Sequence, residues 1–135
     1  MSTDAPKRSL DEPPAGEAAT FPRAARLLKH ADFDRVYQQG RRHFSSHMTV
    51  FYLQQAEGGA RVGFTVGRVL GGAVVRNRIR RRLREAVRLQ RSLLPGPVDV
   101  VINPKKSALA VEFAVLVQEM SRAFEVIARK SAEKL

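Results

Sequence analysis

Between Arg76 and Arg88 the chain reads "RNRIRRRLREAVR", seven arginines against a single acid, Glu85. Few folds can hold such a stretch. Val75, Ile79, Leu83, Ala86 and Val87 recur at i, i+4, i+8, i+11 and i+12. At 100° per residue these five fill an arc of roughly 120°. The spacing predicts a helix that buries this arc and keeps its arginines off the core. "LLPGP", residues 93–97, must end it, because Pro95 and Gly96 do not continue a helix. The fold therefore has to offer one apolar wall and leave the other side to water or to a polyanion.

Charged residues on a helix usually form a solvated face. Such a face normally mixes signs, since acid–base pairs at i,i+4 support each other. Here the cation is always arginine and never lysine. A guanidinium binds phosphate through a planar fork and is less strongly hydrated than an ammonium. Arg76, Arg80, Arg84 and Arg88 also fall at successive i+4 positions, making a ridge beside the apolar arc. Repulsion along that ridge is offset when phosphates arrive and counterions leave. The whole chain carries a net charge of +11 over 135 residues, which favours nucleic acid or an anionic membrane as partner. A membrane-surface helix needs large apolar residues opposite its basic face. This arc has no aromatic residue, so nucleic acid is the expected partner and no membrane association is expected.

The remaining elements are legible in outline. "KHADFDRVYQQG" places Phe33, Val36 and Tyr37 at helical spacing, with Gly40 positioned as a left-handed C-cap. "HMTVFYL", residues 47–53, reads as a strand with Met48, Val50 and Tyr52 on one face and Thr49, Phe51 and Leu53 on the other. After the turn signal "EGG", "RVGFTVG" reads as a second strand forming a hairpin with the first. Its Gly63 face is small enough for another group to approach the backbone. Gly71 and Gly72 lead into the arginine helix, either as a plain loop or as accessible N–H groups for an anion. "VDVVIN" predicts a further strand. "KKSALAVEFAVLVQEMSRAFEVIARK" predicts a long helix buried through Phe113, Leu116, Val117, Met120, Phe124 and Ile127. Strands and helices segregated in this way predict an α+β domain.

Residues 1–20 are rich in Pro, Ala, Asp, Glu and Ser and are expected to be a disordered tail. Residues 21–135 are expected to form a single RNA-binding domain. The N-terminus lacks an apolar signal core, and no run approaches about 18 apolar residues, so a cytoplasmic location is expected. The chain has no cysteine. His30, His43 and His47 make no metal-ligand pattern, and Asp32 and Asp34 do not face each other across a helix. No catalytic group and no protein-held metal are expected.

The stretch "VVRNRIRRRLRE" closely resembles the RNR motif of the bacterial ribonuclease P protein component. "RLLKHADFDRVYQQG" is similar to that family's N-terminal helix, "RVGFTVG" to the strand before the motif and "VDVVINPK" to the strand after it. The resemblance spans roughly residues 22–130. It implies the order αβββαβα in a two-layer α/β sandwich with a left-handed βαβ crossover, a ribosomal protein S5 domain 2-like fold. It also implies a protein subunit, one per catalytic RNA. In that assembly the RNA with Mg²⁺ removes the 5′ leader from precursor tRNA, and the polypeptide alone is inactive. By the same resemblance Arg76, Asn77, Arg78, Arg80, Arg81 and Arg84 would bind the RNA subunit. Phe33, Tyr37, Phe51 and Thr65, with Arg68 beside them, would line a cleft for the leader.

Two positions depart from the family pattern: Val69 stands where lysine is common and Gly72 where asparagine is common. Aromatic rings beside cations suit single-stranded RNA, although Phe33, Tyr37 and Phe51 also fit a plain hydrophobic core. A basic ribosomal or chromosomal structural protein is the rival reading. It would have no aromatic cleft and no preference for tRNA precursors.

Overall fold

The computed structural model describes residues 22–133. The proposed tail, residues 1–20, lies outside them. Seven main elements follow in order: α1 (His30–Gln39), β1 (Arg41–Phe44), β2 (Met48–Gln54), β3 (Arg61–Phe64), α2 (Ala73–Gln90), β4 (Val98–Pro104) and α3 (Phe113–Glu133). This is the αβββαβα order. Among the described residues no helix is long and apolar enough to cross a membrane.

The sheet runs β1-β2-β4-β3. β2 is antiparallel to both β1 and β4, while β3 lies parallel to β4. The expected hairpin between β2 and β3 is therefore not formed, because β4 inserts between them. "VDVVIN" explains this. Val98, Val100, Val101 and Ile102 are fully buried, so this run has to be an inner strand covered on both faces. β2 makes its hairpin with β1 instead. Sequence periodicity gave no sign of β1: "RRHF" is short and mostly exposed. β3 also ends at Phe64, short of the expected stretch to Gly67, although the Thr65 N–H still donates to the Ile102 carbonyl at 3.0 Å.

One sheet face packs on α2 and α3, and this is the two-layer body of the sandwich. Met48, Val50 and Tyr52 meet Ile79, Leu83, Ala86 and Val87 of α2 and Leu116, Met120, Phe124 and Ile127 of α3 in one buried cluster. The predicted apolar stripes of both helices are thus the buried ones. α1 lies on the other face. Its Val36 packs with Leu27 and Val101, and Phe33, Tyr37, Phe51 and Leu53 close around them.

Gly40 does not cap α1 in the left-handed region, since its φ is −85° and ψ 177°. Glycine is needed for a different reason. A Cβ there would lie 2.5 Å from the Val36 carbonyl oxygen and 2.6 Å from that of Tyr52, so only glycine lets the chain pass from α1 into β1 this close to β2.

The C-terminal helix starts at Phe113, later than its sequence suggests, after a 3₁₀ turn at Lys106–Leu109. Arg82 is the cause. It is buried, and its guanidinium donates to the carbonyls of Ala108 (2.8 Å), Leu109 (2.7 Å) and Val111. These carbonyls are held by the side chain rather than by a helix. One arginine of the basic run is therefore a structural clamp between α2 and the approach to α3. Arg82→Met leaves buried carbonyls without donors and should destabilise the protein by about 2–4 kcal/mol. Arg81→Ala, at the exposed neighbouring position, should leave stability within about 0.5 kcal/mol. Urea denaturation of the two variants checks the contrast.

Candidate nucleic-acid interface

Gly63 lies on the edge strand β3, on the sheet face that carries α1, where a Cβ would lie 2.5 Å from Cζ of Phe33 and 3.0 Å from Cβ of Leu27. The small β3 face expected from the sequence is thus the seat of the Phe33 ring. One helical turn on, the Tyr37 ring meets Phe51 of β2 edge to face, with centroids 4.9 Å apart and planes at 88°. The Tyr37 hydroxyl donates to Oδ1 of Asn103 at 2.9 Å. Its one proton being used there, it accepts from the Thr65 hydroxyl at 2.5 Å. Phe33, Tyr37 and Phe51 are each half-buried, and Thr65 is exposed. The three rings therefore pack inward on Leu27, Val36 and Val101 and still present surface outward. Packing against the core leaves part of each ring exposed.

Two adjoining grooves run along the β3 edge of the sheet, beside Phe33, and share Leu28, Phe33 and Phe64; Tyr37 and Phe51 line neither. One continues over Thr65 and Gly67. The other is walled by Arg26, Arg80 and Arg84. The arginine ridge of α2 thus reaches the aromatic groove through its middle members. Burial, then the positive charges of Arg26 and Arg80, push the Arg84 guanidinium below the usual arginine range. Three guanidinium groups thus line one groove and repel one another there.

The other candidate residues are distributed along α2 and the turn before it. Arg78 and Arg81 are exposed, Arg76 is half-buried, and exposed Asn77 accepts a hydrogen bond from Arg80 at 2.8 Å. Arg88, the last member of the ridge, donates to Glu85 at 2.9 Å. Arg68 is exposed in the 3₁₀ turn after Thr65 and Gly67. Val69, at the departure from the family pattern, is 90 % exposed. Gly72 is the N-cap of α2 and provides no side-chain cap.

Sequence reasoning missed three parts of this site. Arg26 lies in "RAARLL", which has no periodicity to set it apart. Asn103 closes an apolar run and is marked only by being its one amide. The third part is an ion cluster. Arg61 donates to both oxygens of Asp99, at 2.9 and 2.8 Å, and reaches Asp32 at 3.4 Å, while Arg35 holds Asp32 at 3.0 Å. Asp99 is fully buried. The cluster ties α1 to β3 and β4 and so fixes the helix that carries Phe33 and Tyr37.

A helix-borne ridge of guanidinium groups beside a groove lined by Phe33 and Phe64 defines a strongly basic α+β domain suited to a polyanion such as RNA. Known proteins agree. The family model described as Ribonuclease P matches residues 21–128. The chain belongs to the ribonuclease P protein family, whose members serve tRNA 5′ maturation together with an RNA subunit, as the protein part of an endoribonuclease. It is 41 % identical over 104 residues to the ribonuclease P protein component of Desulfovibrio desulfuricans, covering 74 % of this chain and 80 % of that one. With the component of a Geobacter species it shares 36 % identity over 115 residues, 85 % of this chain and 98 % of the relative. The solved ribonuclease P protein of Staphylococcus aureus superposes with a TM-score of 0.67 at 26 % identity, over 77 % of this chain and 95 % of that one. That of Thermotoga maritima gives 0.69 at 24 % identity, over 76 % and 96 %, and supports the fold.

Proposed function

We propose that the protein binds the 5′ leader of precursor tRNA in the groove between α1 and the sheet while α2 holds the catalytic RNA. The observation that carries this reading is the junction of the two surfaces: Phe33, on the aromatic side, lines the same groove as Arg80 and Arg84 of the basic helix. A base can stack on the half-open rings, and its phosphate meets the guanidinium wall without leaving the groove. Leader positioning thereby follows from binding the RNA subunit on the adjacent face. A mere structural glue needs the arginines but has no use for the rings.

On this reading one protein serves one catalytic RNA in the cytoplasm. Mg²⁺ belongs to the RNA. The buried carboxylates Asp32 and Asp99 are both engaged by Arg61, so they do not fit a hard dication that takes free oxygen ligands. The polypeptide's part is to orient the substrate.

Reconstitution tests the proposal. The protein is added to a bacterial ribonuclease P RNA at low Mg²⁺, and cleavage is followed for precursors with a leader of several nucleotides and with a single nucleotide. The expected result is rescue that favours the longer leader. Equal rescue of both substrates would assign the protein to general RNA stabilisation.

A further inference from the structure

The face that carries Phe33, Tyr37 and Phe51 continues past Tyr37 to the β1 edge of the sheet. Strand pairing sets Phe44 of β1 opposite Thr49 of β2, and Thr49 opposite Asn103 of β4. Thr65 extends this row on the β3 side. The next row is Arg42, Phe51, Val101 and Gly63. Directly paired residues project to the same face, so Phe44 and Arg42 stand on the face of Phe51 and Tyr37. Phe44 is 67 % exposed, and the Arg42 guanidinium lies over its ring, 5.6 Å from the centroid. Among the described residues, nothing in the packing of the domain accounts for a phenylalanine in this position.

We propose that Phe44, with Arg42 over its ring and Lys105 nearby, is a further stacking station for single-stranded RNA. It extends the track from the Tyr37 hydroxyl across Asn103 and Thr49 to the β1 edge. The inference rests on the leader reading and adds a station to it. RNA is the favoured occupant on charge. Arg42 and Lys105 are exposed near the ring, and the Lys105 ammonium lies 3.5 Å from the carbonyl of Ser45, the residue after Phe44. β1 contains no acid. A second copy of a chain with net charge +11 would be repelled from this edge. A ring with a cation beside it offers a base a stacking face and its phosphate a counter-charge. Two strand spacings separate Phe44 from Asn103, about 10 Å, the rise of about three stacked nucleotides and fewer if the strand is extended. Phe44 therefore meets leader nucleotides farther from the cleavage point than those at Tyr37, or nearer to it, according to the direction in which the leader runs.

The test uses the complex reconstituted with the RNA subunit and a set of precursor tRNAs whose leaders grow one nucleotide at a time. Affinity of the wild type should rise in steps. Phe44→Ala should remove one step, weakening precursors that reach the edge by about five- to 150-fold, and leave mature tRNA unchanged. Phe44→Trp should keep the step, and the melting temperature of each variant should match the wild type because the ring is mostly exposed. If Tyr37→Ala changes the length profile and Phe44→Ala does not, the β1 station is refuted and the leader reading stands. If neither changes it, the leader reading itself fails. Loss of affinity for mature and precursor tRNA alike, or weaker assembly with the RNA subunit, would place Phe44 against another surface and overturn the proposal.

Discussion

Arg61→Met should cost the protein about 3–5 kcal/mol of stability, because it strands the fully buried Asp99 as an uncompensated charge. The effect should be larger than that of any exposed arginine of α2. It should also reach the site, since Arg61 reaches Asp32 and so holds α1 to the sheet. A second substitution, Asp99→Leu, removes the stranded charge and should restore much of the loss, in keeping with the near-neutral exchange of buried ion pairs for apolar residues. Urea denaturation of the two single variants and the double variant measures this. A loss below about 1 kcal/mol in Arg61→Met would mean that Asp99 is satisfied by other groups.

Assembly with the RNA subunit should weaken steeply with salt. Of the seven arginines between Arg76 and Arg88, Arg82 points into the protein and Arg88 is paired with Glu85. Five remain to meet phosphate. The logarithm of the association constant should then fall against the logarithm of salt with a slope of about −3.5 to −4.5, or roughly 100- to 500-fold between about 50 and 200 mM. Arg78→Ala should reduce the magnitude of the slope by about one. Arg88→Ala should leave it nearly unchanged. A slope close to zero would contradict a polyelectrolyte interface altogether.

What the sequence could reveal follows from how each feature is encoded. The two long helices and their buried stripes were legible, since their apolar residues repeat over several turns and each repeat strengthens the others. The resemblance carried the element order, including β1, which local pattern did not show. Pairing was harder. β2 and β3 are both good strands separated by a turn signal, and no local rule says that a strand from more than 30 residues further on will part them; "VDVVIN" read only as another strand, and its inner position shows in its burial. Within the basic run, Arg82 and Arg81 are adjacent and chemically identical. Their roles separate only when the turn at Lys106–Leu109 places carbonyls over one of them. The aromatic trio came from the resemblance; only Phe33 and Tyr37, one helical turn apart on α1, are also marked by spacing. Arg26, Asn103 and the Arg61–Asp99 pair were missed, because their partners are distant in sequence.

The central claim is that the aromatic surface formed by α1 and the sheet recognises the leader, and Tyr37, one helical turn beyond the groove at Phe33, tests it most directly. Its ring stacks edge-on against Phe51, and its hydroxyl joins Asn103 to Thr65. The measurement is the affinity of the reconstituted complex for precursor and for mature tRNA, with wild-type protein and with Tyr37→Ala, alongside the melting temperature of each protein. The groove account predicts that the variant stays folded and loses about 1–3 kcal/mol of its preference for precursor over mature tRNA. A variant that melts early yet keeps the full preference would contradict it and leave Tyr37 a core residue only.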